Sequence, residues 1–243
     1  MDGIILDKKP TPTRVITTVA FMSALSYVLY VFVKFPLPAL FPAFLDFQVS
    51  DLPALLTGFM IGPRAAVAVL LIKILTKLPL SGTLYVGEFA DLLIGLAFIL
   101  PSSLIYKRRR TKGGAVAALA VGIAASTAVA LVANYAVLIP FYVRFFFKGD
   151  WNILLNAVRP LYKGITRDSF FRYYLLLAAL PFNLLRGILT ALLTFFLYKG
   201  LARAFNMLDG QKTLFNSTKN AGGEPGAKEE RAEFVIKEKT IKK

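Results

Sequence analysis

The sequence predicts an all-α integral membrane protein with six transmembrane helices and both termini in the cytoplasm. Of its 243 residues, 56% are hydrophobic and 21 are phenylalanine, and the mean hydropathy of +0.62 exceeds that of ordinary soluble domains. Several apolar stretches approach the roughly 20 residues that a helix needs to cross the hydrocarbon core. We therefore divide the chain into a cytoplasmic N-terminal segment (1–13), a six-helix membrane domain (14–203) and a cytoplasmic tail (204–243). The tail is expected to be disordered, because from residue 211 onward it has too little apolar content for a core.

The first span is predicted at residues 15–33, and a loop follows at residues 34–50. Lys8, Lys9 and Arg14 precede the span, and basic residues favour the cytoplasmic end of a membrane helix. No small-residue cleavage site follows, so we expect this helix to be retained rather than removed as a signal peptide. The loop is rich in proline and aromatic residues, which excludes a regular helix there.

Two short apolar segments, 52–61 and 65–75, come next, and each is marginal as a span. Gly62, Pro63 and Arg64 separate them, which predicts a helical hairpin that turns at Gly-Pro, with Arg64 on the cytoplasmic side. These two segments are then the second and third of the six helices.

The fourth span is predicted at residues 89–106, and a basic cluster closes it. The cluster consists of Lys107, Arg108, Arg109, Arg110 and Lys112. It is the strongest indication of a cytoplasmic helix end in the chain. A binding site for anionic lipid is the alternative interpretation of the same residues.

The fifth span is predicted at residues 113–140 and the sixth at residues 175–198. The fifth is rich in alanine and glycine, a composition that lets helix backbones approach closely in lipid. Between them, residues 141–172 are expected to form an interfacial, partly helical segment outside the cell. The charge bias does not favour this orientation everywhere, because that segment carries basic residues. They are Arg144, Lys148, Arg159, Lys163, Arg167 and Arg172.

Histidine and cysteine are both absent from the sequence. Their absence excludes disulfides, thiolate chemistry and cysteine-ligated metals, and it removes the commonest general base and transition-metal ligand. No G-x-x-x-x-G-K-[ST], H-E-x-x-H or G-x-S-x-G motif occurs. We therefore expect no enzyme, no metal and no cofactor, and any uphill transport has to be driven by another protein. The net charge of +15 is explained by loop residues that orient the helices, and not by nucleic-acid binding.

Polar side chains interrupt the apolar stretches, and at membrane depth such residues mark candidate functional sites. The residues concerned are Asp51, Lys73, Lys77, Glu88, Asp91, Asn134, Asn183 and Arg186. If helix direction alternates as predicted, all of them lie in the outer half of the membrane. Their convergence predicts an outward-opening polar cavity that suits a polar heterocycle.

Several of these residues have simpler interpretations. Asn134 could hydrogen-bond a neighbouring helix, Lys73 and Lys77 could extend to the outer interface, and Asp51 could cap its helix. Arg186 is harder to explain in this way, because it lies about a dozen residues into the last span and needs a carboxylate partner.

Glu88 and Asp91 are the two carboxylates that could pair with Arg186. They are three residues apart and so lie on one face of the fourth helix. An alternative is that they form the acid and base of a membrane enzyme. No nucleophile or metal constellation accompanies them, which speaks against that alternative.

Four patches of sequence carry further information through their order and spacing. They are residues 44–47 with 50–55, residues 62–63 with 71–73, residues 87–90 with 93–95, and residues 134–135 and 140–142 with 181–187. Together they resemble the riboflavin-specific substrate-binding S components of energy-coupling factor (ECF) transporters. The resemblance covers residues 14–203 and implies a six-helix, S-component-like fold.

The resemblance also implies a flavin bound near the outer face, under the first loop. The edge of its isoalloxazine ring would be read by Asn134 and Asn183. The basic position on the sixth helix is lysine in the family and is Arg186 here, and these two cations are not interchangeable. The implied substrate-binding set is Asn134, Asn183, Arg186, Glu88, Lys73, Asp51, Leu45, Asp46 and Phe47.

Partners and location follow from the same resemblance. The protein would lie in the cell membrane of a prokaryote and would transport riboflavin inward by acting with a transmembrane coupling protein and two cytoplasmic ATPases. FMN or another vitamin is the alternative ligand. Ala20 and Ala24, four residues apart on the first helix, match the small residues with which family members dock the coupling protein. On physical grounds alone this pair indicates helix packing within the protein.

Overall fold

In a computed structural model the chain is described for residues 11–42 and 44–221. It divides into two compact units, residues 1–198 and residues 199–243. Helices make up most of the described residues of the first unit, which confirms the predicted helical class. The N-terminal segment up to residue 10 and the tail from residue 222 lie outside the described residues.

The helices and strands are numbered along the chain. They are α1 (Pro12–Phe32), β1 (Lys34–Pro36), β2 (Asp46–Gln48), α2 (Leu52–Met60), α3 (Pro63–Lys77), α4 (Val86–Arg108), α5 (Lys112–Ala133), α6 (Ile139–Phe141), α7 (Trp151–Val158), α8 (Phe170–Tyr173) and α9 (Leu180–Ala221). A short 3₁₀ turn, Leu78–Leu80, follows α3. Two π-helical segments, Asn134–Leu138 and Tyr174–Ala179, link helices into longer continuous rods, and a third, Tyr142–Phe146, ends the rod that begins with α5.

Four helical stretches in the described part of the chain are long and apolar enough to cross a membrane. They are Pro12–Phe32, Val86–Arg108, Lys112–Phe146 and Phe170–Tyr198. The segments α2 and α3 have 9 and 15 residues and fall short of a full span by length. The structure thus confirms the helical class, with four helices long and apolar enough to span a membrane, and the count of six crossings stays a prediction.

The turn between α2 and α3 forms where the sequence predicts it. Gly62 has φ +132°, in the region that favours glycine, and Pro63 occupies the first helical turn of α3. The α2–α3 hairpin is therefore encoded locally by this Gly-Pro pair.

The first loop contains an antiparallel hairpin that the proline-rich sequence does not predict. Residue Phe35 of β1 pairs with Phe47 of β2, and their rings lie 5.6 Å apart. Lys34 Nζ lies 2.6 Å from Asp46 Oδ2 across the ladder. Partial burial lowers the pKa of Lys34, but the Asp46 carboxylate more than offsets this and leaves the pKa above its ordinary value.

Helices α4 and α5 pack closely, as the alanine- and glycine-rich sequence of α5 predicts. A Cβ atom placed on Gly122 of α5 would collide with Ser102 and Phe98 of α4. The Ser102 hydroxyl donates to the Ala118 carbonyl, 3.1 Å away. Small residues at this crossing therefore allow contact between backbones.

Two of the π-helical segments end just before a proline. Asn134–Leu138 precedes Pro140, and Tyr174–Ala179 precedes Pro181. Proline has no N–H, so a carbonyl in the preceding turn loses its α-helical donor, and a π turn re-pairs the freed groups. Each of these π segments therefore marks the place where a proline disturbs helix hydrogen bonding. The fifth span is not ended by Pro140, however, because helical structure continues to Phe146.

The last helix is longer than predicted at both ends. Helical structure begins at Phe170 instead of residue 175, and α9 continues to Ala221. It thus reaches into the segment for which we predicted disorder. Residues 204–221 contain good helix formers such as alanine, leucine, methionine and lysine, which favours this continuation.

Candidate functional site

Five charged side chains from the start of α2 and from α3, α4 and α9 form one buried ion-pair network, which we call the charge network. Lys73 Nζ lies 2.6 Å from Asp51 Oδ1 and 3.2 Å from Asp91 Oδ2. Lys77 Nζ lies 3.0 Å from Asp91 Oδ2. Arg186 Nη2 lies 2.7 Å from Asp51 Oδ2 and 3.2 Å from Asp91 Oδ1. Each carboxylate therefore contacts at least two cations.

The charge network is almost completely removed from solvent. The Lys73 side chain is fully buried, and even the most accessible member, Arg186, has only 13% of its side-chain surface exposed. Three cations face two carboxylates, which leaves a formal charge of +1. Lys77 makes a further contact, since its Nζ lies 4.1 Å from the centre of the Tyr30 ring. Buried charges are costly alone, so the members of the network depend on one another.

The charge network overturns two of the simpler interpretations. Asp51 stands at the N-cap of α2 but makes no capping hydrogen bond, because its carboxylate binds Lys73 and Arg186 instead. Lys73 and Lys77 do not extend to the outer interface, since both side chains are buried. The prediction that Arg186 needs a carboxylate partner is confirmed, with Asp51 and Asp91 in that role.

Glu88 lies outside the charge network, although it is one helical turn from Asp91. Its Oε2 accepts hydrogen bonds from Ser81 Oγ at 2.8 Å and Thr83 Oγ1 at 2.7 Å. Glu88 and Asp91 therefore have separate partners. The arrangement gives no support to an acid–base pair built from these two carboxylates.

Asn134 is buried where α5 passes into the first π segment. Its Nδ2 donates to the Ala130 carbonyl at 2.8 Å, and its Oδ1 accepts from the Tyr174 hydroxyl at 2.7 Å. Tyr174 is fully buried and begins another π segment, so this hydrogen bond joins the two. The interpretation of Asn134 as a link between helices is confirmed. One N–H and one lone pair of its amide remain for a ligand.

Asn183 lies on α9, one turn before Arg186. Its Nδ2 donates to the Ala179 carbonyl at 2.8 Å, and the side chain is half-buried. Within the described part of the chain, its Oδ1 and second N–H have no hydrogen-bond partner. The amide thus presents a donor beside an acceptor, which matches a heterocycle edge that carries an acceptor beside a donor.

The first loop packs against α9 at the position next to Asn183. The rings of Phe41 and Phe47 lie 5.3 and 6.1 Å from the ring of Phe182, in edge-to-face geometry. Leu45 contacts this aromatic cluster and also the cluster around Tyr174. The predicted residues Leu45 and Phe47 are therefore brought to α9, whereas Asp46 pairs with Lys34 in the hairpin.

The end of the loop is attached to the charge network. The Ser26 hydroxyl of α1 donates to the Ser50 carbonyl, and Lys73 Nζ lies 3.4 Å from Ser50 Oγ. Ser50 is buried and directly precedes Asp51. The network thus connects the loop to α3 and α9.

A groove of about 290 Å³ opens between α4 and α5, and its walls are apolar. Its lining residues are Phe89, Ala90, Leu93, Ala128, Val129, Val132, Ala133 and Val137. It is therefore not the polar cavity that the sequence predicts. The charged candidate residues Asp51, Lys73, Lys77, Asp91 and Arg186 lie elsewhere in the described chain, where they are bonded to one another next to the end of the first loop.

Ala20 and Ala24 are both exposed on α1. They lie in one stripe with Ile16 and Val28, whose side chains are 69% and 45% exposed, because residues four apart share a helix face. The stripe is shallow in the middle and bulkier at its ends. Neither alanine is therefore buried against another helix of the described protein.

Sequence reasoning left several residues out of the binding set that the structure places at the site. Lys77 and Asp91 are full members of the charge network, and both could be found from spacing, since each follows a chosen residue by one helical turn. Phe41, Phe182 and Tyr174 pack around the loop. Apart from the position of Phe182 beside Asn183, no sequence pattern singles these aromatic residues out.

The chain matches known proteins over almost the whole of its first unit. Residues 14–198 match the family model described as the ECF transporter, substrate-specific component. A solved structure described as the S component of a bacterial ECF transporter superimposes with a TM-score of 0.59 and 29% identity, covering 79% of this chain and 98% of that chain. The fold of this unit is therefore shared with a known S component.

Curated relatives agree with the family match. The riboflavin transporter RibU of Staphylococcus aureus (strain TCH60) is 34% identical over 185 residues, which cover 76% of this chain and 88% of the relative. The riboflavin transporter FmnP of Bacillus subtilis (strain 168) is 29% identical over 176 residues, covering 71% and 84%. These relatives are named as transporters, which contradicts the alternative of a membrane enzyme.

Proposed function

The chain belongs to the family of substrate-specific components of ECF transporters, and on that premise we propose that it binds riboflavin and delivers it inward with an ATP-driven coupling module. Its relatives are transporters and not enzymes. The amide of Asn183 is the single structural observation that most directly supports riboflavin as the ligand. It offers an unpaired donor and acceptor beside the aromatic rings of the first loop. A flavin needs both, because its polar edge carries adjacent donors and acceptors and its faces are apolar.

In the proposed site, riboflavin lies under the first loop at the outer end of α5 and α9. Asn134 and Asn183 hydrogen-bond the edge of the isoalloxazine ring, and Arg186 lies one turn deeper on α9. Leu45 and Phe47 cover the ring, and Asp46 lies in the hairpin above it. Lys73 and Asp51 hold Arg186 through the charge network, and Glu88 contributes from the start of α4. Support for this arrangement comes from the packing of the loop on Phe182 and from the charged groups that meet at Arg186.

We place the protein in the bacterial cell membrane with six crossings and both termini inside. Four crossings correspond to the long apolar helices, and α2 and α3 supply two shorter ones that meet at Gly62. The basic cluster where α4 ends and α5 begins, at residues 107–112, supports a cytoplasmic end there. This topology puts the first loop, Asn134 and Asn183 on the outer side.

The proposed partners are a transmembrane coupling protein and two cytoplasmic ATPase subunits. The sequence contains no G-x-x-x-x-G-K-[ST] motif, so the energy for uptake has to come from other chains. Ala20 and Ala24 on the exposed stripe of α1 form the proposed contact with the coupling protein, because small residues let a partner helix approach closely.

Purified protein is expected to bind riboflavin tightly without any partner. Titration of riboflavin with protein should quench the flavin fluorescence to saturation at micromolar protein, because burial beside aromatic rings changes the environment of the isoalloxazine. Thiamine and biotin at the same concentrations serve as competitors and should leave the titration unchanged. Absence of quenching at micromolar protein would remove riboflavin as the ligand.

Asn183→Ala is expected to raise the Kd for riboflavin by about 5- to 150-fold, because it leaves polar atoms of the buried ligand unpaired at about 1–3 kcal/mol. Asn152→Ala is the matched control, since Asn152 is exposed on α7. Both proteins are measured by the fluorescence titration and by thermal unfolding, which separates lost contacts from lost folding. An unchanged Kd in a folded Asn183→Ala protein would exclude this residue from the site.

A further inference from the structure

Residues 141–172, which we call the outer basic segment, carry six basic and two acidic side chains. All six basic residues are exposed: Arg144, Lys148, Arg159, Lys163, Arg167 and Arg172. In the proposed topology this segment lies outside, where basic residues are normally depleted relative to the cytoplasmic side. Its charge therefore needs a physical reason other than helix orientation, and riboflavin binding does not use it.

The six cations have no carboxylate partner in the described part of the chain. The recorded ion pairs belong to the charge network and to the pair Lys34–Asp46. Of the two acidic residues in the segment, Asp150 instead accepts a hydrogen bond from the Asn152 backbone N–H at the start of α7. The segment thus presents a net positive surface with its charges available to an external anion.

Exposed apolar side chains lie among these cations. Phe145 is 58% exposed, Ile153 46% and Phe146 41%, and Tyr173, directly after the segment, is 41% exposed. The segment is nevertheless firmly structured, because one buried cluster that includes Val143, Leu154, Leu155, Val158 and Phe170 holds it together. Aromatic and aliphatic groups beside lysine and arginine are the composition of a surface that lies in a membrane interface.

From this combination we propose that the outer basic segment binds the headgroups of anionic phospholipids in the adjoining leaflet. A soluble anion would match the charges but would leave the apolar side chains in water, whereas a lipid surface satisfies both. The inference uses the membrane placement of the proposed function and does not depend on the ligand of the flavin site.

The position of the single tryptophan makes this surface directly measurable. The chain contains one tryptophan, Trp151, which begins α7 and lies with its ring 5.2 Å from the Arg167 guanidinium. Flavin-free protein is reconstituted into vesicles that contain either brominated phosphatidylglycerol or brominated phosphatidylcholine at equal mole fraction. Quenching of tryptophan fluorescence then reports which headgroup occupies the surface near Trp151.

Quenching should show a preference for phosphatidylglycerol over phosphatidylcholine of about 5-fold or more, the factor expected for one basic contact with an anionic surface. The triple variant Arg144→Gln/Lys148→Gln/Arg172→Gln leaves the Arg167–Trp151 contact intact and should lower the preference, because it removes three of the six cations. The matched control Lys107→Gln/Arg108→Gln/Lys112→Gln changes three basic residues at the end of α4 and the start of α5, and it should keep the preference.

Equal quenching by the two lipids in the unmodified protein would overturn the proposal, and that measurement needs no variant to fold. An unchanged preference in the triple variant would also overturn it. A preference abolished by millimolar inorganic phosphate, but not by chloride of equal ionic strength, would assign the surface to free phosphate instead. Riboflavin titration of the same samples shows whether the flavin site is intact, so failure of one proposal is distinguishable from failure of the other.

Discussion

Asp91→Asn is expected to destabilise the folded protein by about 3–5 kcal/mol, the cost of removing one partner from a buried ion pair. For a chain of this size that corresponds to a fall of roughly 10 °C in the apparent melting temperature. The effect is large because Asp91 contacts Lys73, Lys77 and Arg186 at 3.0–3.2 Å inside the bundle. Without it, three buried cations face the single carboxylate of Asp51.

Thermal unfolding in detergent, followed by light scattering or by dye binding to exposed hydrophobic surface, measures this prediction. Asp168→Asn is the matched control, because Asp168 is exposed in the outer basic segment. Adding Lys77→Met to Asp91→Asn removes one of the excess cations and should restore part of the lost stability. This rescue distinguishes a charge effect from a packing effect, since the carboxylate of Asp91 and the amide of its replacement have similar volume.

The same variant should also weaken riboflavin binding if Asp91 holds Arg186 in position. A folded Asp91→Asn protein with an unchanged melting temperature would show that the charge network contributes little to stability. Equal losses in Asp91→Asn and in the double variant with Lys77→Met would show that the two residues are not coupled.

Membership of the charge network could be predicted from the sequence, but its pairing could not. Charged residues in apolar stretches are too costly to be unpaired, which is why Asp51, Lys73 and Arg186 stand out. Whether Arg186 meets Glu88 or Asp91 depends on the rotation of α4 and on the hydroxyl groups of the loop before it. Glu88 is bound by Ser81 and Thr83 in that loop, and no periodicity places loop residues.

The hairpin of the first loop was missed for a related reason. Each strand has three residues, which is too short for an alternating pattern to be recognised, and prolines conceal it further. The missing N–H of Pro140 and of Pro181 accounts for a disturbance of the helices, but it does not determine the form of that disturbance. Two π segments retain continuous helices there, and one of them places Asn134 against Tyr174.

Residue Ala20 is the position where the largest effect on transport is expected. Ala20→Leu should leave riboflavin binding unchanged but reduce uptake to background in the assembled transporter. The added side chain lies in the shallow middle of the exposed stripe on α1, where it holds a partner helix away from the backbone. Overpacking of about 1–3 kcal/mol weakens docking by roughly 5- to 150-fold, which suffices to uncouple a reversible association.

This prediction is tested by measuring uptake of labelled riboflavin into vesicles that contain the protein, the coupling protein and both ATPases. ATP is placed inside the vesicles, because the vesicle interior then corresponds to the cytoplasm. Ala124→Leu is the matched control, because Ala124 is likewise exposed but lies on α5. It should retain uptake, since the same added volume there faces lipid. Full uptake by Ala20→Leu would contradict the docking role. If the variant lost both uptake and riboflavin binding, α1 would support the binding site itself. Only the combination of retained binding and lost uptake separates capture of the vitamin from its delivery. In the proposed function the two steps use opposite surfaces of α1, because Ser26 anchors the loop on one side and the small residues are exposed on the other.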